Sequence, residues 1–213
     1  MRAARIFVLA ALAAAAALGA DDAGVLLGPG SDLGALNPVV AALAAQGGVR
    51  ASFTERRFFP FKREATVLKG VLRISPQRGM SLQYTEPEAR VMVADDAGLV
   101  LRDGAGHERK MPPGSREAGA VASLLPIMRF DLPALLPAFD VRARGNAAGW
   151  TFEFTPRESG ASQGMGSILV GGSGSTVTRL EFKRSATQRV EIDVGTTETG
   201  VTFGADELHR FFR

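Results

Sequence analysis

The segment 49–77 alternates between apolar and polar residues, which is the pattern of amphipathic β-strands. In its first half Val49, Ala51 and Phe53 fall on one parity, and polar residues, including several arginines, fall mostly on the other. In its second half the alternation resumes after a turn. We therefore predict a β-hairpin with one apolar face and one basic, solvated face.

Two charged residues break this alternation. Glu55 and Arg57 share the parity of Phe53, so a regular strand would turn both side chains toward the apolar face. A β-bulge would redirect them, or the two would form an ion pair at the mouth of a cavity. The sequence leaves these two alternatives open.

The same period of two recurs along most of the chain, and turn signals such as "DDAG", "GGSGS" and "SATQ" separate the segments. We count about ten strands, which predicts a mainly antiparallel sheet, and we expect residues 21–30 to be a flexible lead-in. The alternating segments after the hairpin read "MSLQYT", "RVMVA", "GLVLR", "HERKMP", "FDVRARG", "WTFEFTP", "GSILVGG", "VTRLEFKRS" and "QRVEIDV".

Residues 31–48 have helical spacing instead. Their apolar side chains recur three or four residues apart, which predicts an amphipathic helix. Ser31 or Asn37 is expected to cap it, with Pro38 in its first turn. Near the carboxyl end, "FGADELHRFF" is expected to form a final turn.

A second helical insert is predicted between two β regions. Residues 119–139, "GAVASLLPIMRFDLPALLPAF", are very apolar. Pro126 is expected to kink the first helix of this insert, because proline lacks the amide hydrogen that a helix interior needs. Asp131 is expected to cap a second short turn that has Pro133 in its first turn. The prediction is a broken helical segment that lies against the sheet.

Residues 1–20 have the layout of a secretory signal peptide, with a positively charged start, an apolar run and small residues at the end. The apolar run, residues 6–18, is too short for a membrane anchor, which needs roughly 18 or more residues. We predict cleavage after Gly19 or Ala20. The mature chain, residues 21–213, is then one domain in the periplasm.

The composition narrows the function classes. There are 25 Lys and Arg residues against 22 Asp and Glu, and no cysteine, so we expect neither a nucleic-acid surface nor disulfides. His107 and His209 lack the spacing of metal ligands, and no phosphate loop or nucleophile motif is present. Asp95 and Asp96 lie at a turn signal, where solvated acids are common. We therefore expect no enzyme activity and no cofactor.

The predicted sheet has more apolar face than two short helices would cover in an ordinary core. Helices that are apolar on most sides must themselves be buried or must cover something. This arrangement predicts a curved sheet around a hydrophobic cavity, with the helices over its mouth.

Several short motifs follow one another in a recognisable order. They are Phe53-Thr54-Glu55, Gly70-Val71-Leu72, Pro76, Leu82 to Tyr84, Pro87-Glu88 and Val91 to Val93, followed later by "LLPIMRFDLPALLPAF" and "WTFEFTP". Together they cover most of residues 31–203. In this order they resemble a divergent branch of the periplasmic outer-membrane lipoprotein carrier protein family, LolA-like.

The resemblance implies an unclosed antiparallel β-barrel, or half-barrel, covered by short helices around a hydrophobic cavity. It implies a periplasmic carrier that shields the acyl chains of lipoproteins or another acyl lipid and moves them from the inner to the outer membrane. An inner-membrane transporter and an outer-membrane receptor are the implied partners. We expect a monomer without a cofactor and without nucleic acid.

The chain departs from the family pattern at one position. The best-known members place an arginine directly before the proline of the second strand, where it bonds to the lid helix in the closed state. Ser75 stands at that position, and Arg73 lies two residues earlier. The lid latch and the identity of the cargo are therefore open in this chain.

The candidate binding residues are apolar side chains of the strands and of the second helical insert. The predicted cavity lining is Phe53, Phe59, Leu72, Met80, Leu82, Tyr84, Val91, Val93, Leu124, Leu125, Met128, Trp150 and Phe152. Polar residues expected at the cavity mouth are Glu55, Arg57 and Arg73. Leu124, Leu125 and Met128, at helical spacing, are expected to form the inner face of a movable lid.

A second interpretation belongs to another class of protein. The same fold could serve as a non-enzymatic periplasmic sensor or scaffold module that binds a membrane-protein partner, because a fold does not dictate a function. A hydrolase is the weakest interpretation, because the chain shows neither a catalytic triad nor a metal-binding set.

Overall fold

The structure is a computed structural model that describes residues 24–112, 124–157 and 166–213. The predicted signal peptide, residues 1–20, lies outside the described residues. Within them, twelve strands form one continuous sheet. The strands are β1 (Val25–Leu26), β2 (Val49–Phe58), β3 (Thr66–Ser75), β4 (Gly79–Glu86), β5 (Arg90–Asp95), β6 (Gly98–Asp103), β7 (Glu108–Lys110), β8 (Phe139–Asn146), β9 (Gly149–Pro156), β10 (Ser167–Ser173), β11 (Thr176–Lys183) and β12 (Arg189–Thr199).

The order across the sheet is β1-β8-β9-β10-β11-β12-β2-β3-β4-β5-β6-β7, and the neighbouring strands are antiparallel. Apart from the edge strand β1, the sheet consists of two runs of consecutive strands, β8 to β12 and β2 to β7. The two runs meet where β12 pairs with β2. The outermost strands of the sheet are β1 and β7, so it is not closed into a barrel. The predicted fold class, an unclosed antiparallel β-barrel with short helices, is confirmed.

The lead-in differs from the prediction of a flexible segment. Val25 and Leu26 form β1, which pairs with Ala143 and Arg142 of β8. An edge strand of two residues is too short to show the alternation of side chains from which a strand is predicted.

The helices are short and lie between the strands. They are α1 (Asn37–Ala44), preceded by the 3₁₀ turn Gly34–Leu36, then α2 (124–128), α3 (Leu132–Leu135) and α4 (Ala205–Phe211). Neither Ser31 nor Asn37 caps α1, because Leu36 occupies the cap position without a side-chain hydrogen bond. Among the described residues, no helix combines the length and the apolar character needed to cross a membrane.

Strand register defines two faces of the sheet, because residues directly paired in antiparallel strands project to the same face. Phe53, Gly70 and Tyr84 form one such row across β2, β3 and β4. We call the face that carries this row the core face. The side chains of α1, α2 and α3 pack against it in one apolar cluster with the strands.

The opposite, outer face has its own apolar cluster near the carboxyl end. This cluster consists of Phe203, Phe211 and Phe212, and Val91 packs against it. The predicted final turn is therefore the helix α4, which covers part of the outer face.

Three predicted site residues lie on the outer face and not on the core face. Val91 and Val93 pair with Gln83 and Ser81, which alternate with the core-face residues of β4. Arg73 donates a hydrogen bond of 2.8 Å to Glu207 of α4. The prediction that these three line a cavity on the core face, or its mouth, is wrong. Strand β5 is apolar on both parities, so its sequence does not show which face is turned inward.

Candidate functional site

The centre of the core face is aromatic. Trp150 and Phe152 of β9 lie side by side, with ring centroids 5.7 Å apart. Phe130, which follows α2, packs edge-on against both rings at 5.7 Å and 5.5 Å. The Trp150 indole donates a hydrogen bond of 2.9 Å to the Gly174 carbonyl, which orients its ring. The structure thus brings together the two aromatic residues that the sequence predicts and fills the space beside them with Phe130.

The backbone at Phe130 is in the left-handed region, with φ of 51°. The Phe130 amide donates to the Ile127 carbonyl, and the Asp131 amide donates to the Pro126 carbonyl, both at 3.0 Å. This pair of hydrogen bonds is the Schellman ending of a helix, whose left-handed residue is usually glycine. A bulky residue there costs about 1–2 kcal/mol of backbone energy. The backbone at the end of α2 is therefore strained while the segment covers the sheet. The contacts of Phe130 with the aromatic rings offset that cost.

The described part of the predicted lid is buried. Leu124 and Leu125 are 8% and 5% exposed, and Met128 is partly buried against the same cluster. That cluster also contains Phe53, Leu72, Leu82, Tyr84 and Trp150, the residues against which the lid was expected to pack. Pro126 lies inside α2, whose preceding residues, 113–123, are not described. Whether the lid moves remains a prediction.

The predicted site leaves out two deeply buried residues of this segment. Ile127 is 0% exposed and Phe130 is 2% exposed. Both could have been noticed as apolar residues beside the selected three. The spacing rule assigned only one side of a helix to the sheet, whereas α2 is buried on more than one side.

The segment that ends α2 is bonded to the sheet side through an arginine. Arg129 donates a hydrogen bond of 3.1 Å to the carbonyl of Pro76, in the turn after β3. Ser75, which stands where the resemblance leads us to expect an arginine, is buried and ends β3. An arginine contact between the helical segment and the turn after β3 therefore exists in this chain, but the arginine belongs to the helical segment.

The ion pair at one end of the core face involves a buried carboxylate. Glu55 is 2% exposed and accepts a hydrogen bond from the Arg57 guanidinium. Its second oxygen accepts a hydrogen bond of 2.8 Å from the Tyr84 hydroxyl. The register of β2 against β3 is regular at both charged residues, so the ion-pair alternative is confirmed and the bulge is not present there.

The surroundings keep these groups in defined protonation states. Burial raises the pKa of Tyr84 above its ordinary value, and the Glu55 carboxylate raises it further, so the hydroxyl remains a donor. Burial by itself would lower the pKa of Arg57, but the hydrogen bond and charge of Glu55 outweigh it and raise that pKa. Arg57 is therefore a permanent cation at the edge of an apolar surface.

Two pockets flank Arg57 at the same end of the sheet. Pocket A, of 460 Å³, is lined by Arg57, Tyr84, Arg90, Met92, Leu101, Arg102, Asp103, His107, Glu108 and Arg109. Pocket B, of 390 Å³, lies toward β10, β11 and β12 and includes Phe58, Phe59, Ile168, Phe182 and Val190 in its lining. The predicted cavity residue Phe59 lies after the end of β2, where it stacks on the exposed Phe61 at 5.4 Å.

The remaining predicted residues are in the core. Phe53 and Tyr84 pack edge to face with ring centroids 5.4 Å apart. The buried core-face members of the predicted lining are Phe53, Leu72, Met80, Leu82, Tyr84, Trp150 and Phe152. Their binding role remains a prediction, because the helices occupy the surface that a ligand would use.

No protein-family model and no curated protein matches the chain. Among solved structures, an outer membrane lipoprotein-sorting protein domain from Vibrio parahaemolyticus is 9% identical with a TM-score of 0.45, over 81% of this chain and 93% of that chain. A LolA superfamily protein from Nitrosomonas europaea is 9% identical with a TM-score of 0.42, over 80% and 94%. A DUF1329 family protein from Desulfovibrio piger is 8% identical with a TM-score of 0.43, over 79% and 95%. These likenesses concern the fold alone, because each of them is at low sequence identity.

Replacing Arg57 by methionine is expected to destabilise the protein because it leaves the Glu55 carboxylate buried without its cation. We expect a loss of about 1–3 kcal/mol in unfolding free energy, less than for a fully buried pair because the Arg57 side chain is 32% exposed. Urea denaturation measures this loss. Adding Glu55→Gln to Arg57→Met should recover part of the stability, and additive losses would show that the pair does not interact.

Proposed function

We propose that this protein is a periplasmic carrier that shields the acyl chains of lipoproteins or of another acyl lipid and moves them from the inner to the outer membrane. The observation that carries the proposal is the cover of the core face. An aromatic surface is covered by a short helical segment whose end, at Phe130, is in a strained backbone conformation. A strained cover with few residues is easier to displace than a sheet partner.

An acyl chain could replace that cover without exposing the core face to water. Displacing the side chains of α2 frees an apolar surface that ends in Trp150 and Phe152, and an acyl chain laid there would bury the same rings. Each buried methylene contributes about 0.8 kcal/mol, so a sixteen-carbon chain contributes on the order of 10 kcal/mol. That amount exceeds the roughly 2–5 kcal/mol expected for removing one large lid side chain from the core.

The ion pair of Glu55 and Arg57 lies at a position that fits this proposal. It is at one end of the core face, and the pockets on either side of Arg57 combine apolar and charged side chains. An acyl chain could enter there while its polar end remains in water. Transfer from an inner-membrane transporter to an outer-membrane receptor is the part of the proposal that rests on the family resemblance alone.

Lipid binding is the direct test of the proposal. Protein purified from its own host is expected to contain acyl lipid by mass spectrometry, and the delipidated protein is expected to bind a fluorescent fatty acid with one saturable site. Absence of lipid in both measurements would contradict a carrier. Recovery of one stoichiometric membrane-protein partner without lipid would favour the sensor or scaffold module.

A matched pair of variants tests whether α2 is a lid or ordinary core. Leu125 and Leu72 are both 5% exposed in the same cluster, but Leu125 lies in α2 and Leu72 in the sheet. We expect Leu72→Ala to cost about 2–5 kcal/mol in unfolding free energy and Leu125→Ala to cost less than about 2 kcal/mol. Leu125→Ala should mainly weaken retention of bound lipid. A stability loss equal to that of Leu72→Ala, with unchanged lipid affinity, would show that α2 is ordinary core.

A further inference from the structure

We propose that pocket A binds the anionic head group of an acyl ligand, and that Arg90 is the residue that recognises it. The inference rests on the proposed function and specifies the chemistry of its ligand: an acyl chain that ends in a carboxylate or a phosphate. Register, charge and the stacking of Arg90 support it.

The strand register places apolar side chains beside the arginines of pocket A. Met92 pairs with Leu101, and Leu101 pairs with Arg109, so these three residues form one row across β5, β6 and β7 on the core face. In the next row Tyr84 pairs with Arg90. Arginine side chains therefore lie at the solvent end of this surface, and the side chains of Met92 and Leu101 continue it inward. A ligand with a charged head group and an apolar chain would fit this arrangement.

The charges that face pocket A are not balanced within the described residues. Arg57 is neutralised by Glu55, Arg102 is paired with Glu108, and Asp103 contacts His107. Arg90 and Arg109 form no ion pair with an acidic side chain among the described residues. Asp103 stands opposite Arg90 in the register of β5 and β6, but its carboxylate accepts hydrogen bonds from the Ala105 and His107 amides and contacts the His107 ring. An incoming anion would therefore meet two arginines that are not engaged in ion pairs.

Arg90 is held in position without an ion pair. Its guanidinium carbon lies 4.5 Å from the centroid of the Tyr84 ring, whose hydroxyl is fixed by Glu55. Stacking on an aromatic ring orients a guanidinium while it leaves the N–H groups available. Those N–H groups suit the two oxygens of a carboxylate or phosphate, which arginine binds in a bidentate manner.

Competition binding with three sixteen-carbon ligands tests the proposal. Palmitate, hexadecyl phosphate and the neutral monopalmitoylglycerol would each displace a fluorescent fatty acid from the wild-type protein and from Arg90→Gln. We expect the wild type to prefer both anionic ligands. Arg90→Gln should weaken them about tenfold, as expected for loss of charge-assisted hydrogen bonds, and should leave the neutral ligand unchanged.

Control variants separate this result from general damage. Arg144 is a similarly half-exposed arginine of β8 that pairs with Glu153, so Arg144→Gln should change none of the three affinities. Arg109→Gln, at an exposed position, provides a second test if Arg90→Gln is unstable by thermal unfolding, and a selective loss of anion binding is expected there too.

The outcomes distinguish this inference from the proposed function. Preference for palmitate, for hexadecyl phosphate or for both supports the anion site and identifies its source as a fatty acid or a phospholipid. Binding of all three ligands with equal affinity, or an equal loss for all three in Arg90→Gln, would overturn the anion site and leave the carrier intact. Binding of none would overturn both.

Discussion

An open sheet with a long apolar core face must keep that face out of water, and in this protein the aromatic contact at Phe130 is central to how it does so. Twelve strands provide one long core face, which no second sheet covers among the described residues. Short helices cover it, and Phe130 brings α2 onto Trp150 and Phe152. Because exposure of an apolar face to water is unfavourable, displacement of the helix would require another apolar group in its place.

The two layers are held together by different kinds of interaction. The strands are linked by continuous backbone hydrogen bonds, so opening the sheet breaks many bonds together. The cover is held by side-chain packing, by the bond from Arg129 to the Pro76 carbonyl and by a strained turn. This difference predicts that the cover opens at a lower free energy than the sheet.

Part of this arrangement follows from sequence alone. The alternation around Phe53 predicts the apolar face of β2, and the pairing of Glu55 with Arg57 follows from their shared parity with Phe53. Asp131 caps α3 as its position before a proline-containing turn predicts. These features are readable because they depend on residues close together in the chain.

The rest depends on contacts between distant residues or on backbone conformation. The apolar parity of Val91 and Val93 gives no sign that the carboxyl-terminal helix covers that face. The role of Phe130 depends on its positive φ, which a phenylalanine rarely adopts and which no local pattern indicates. The contact of Arg129 with Pro76 joins residues 53 positions apart. Sequence reasoning therefore identified the surface more fully than it identified the cover.

The most direct measurement of the central claim uses Trp150, which is the one tryptophan of the chain and lies against Phe130. Palmitate carrying bromine at the middle of its chain quenches tryptophan fluorescence only at short range. If the acyl chain replaces the cover, its binding will quench Trp150 emission, and ordinary palmitate will restore it by competition. Saturable binding of brominated palmitate with unchanged Trp150 emission would show that the chain binds elsewhere and would contradict the account.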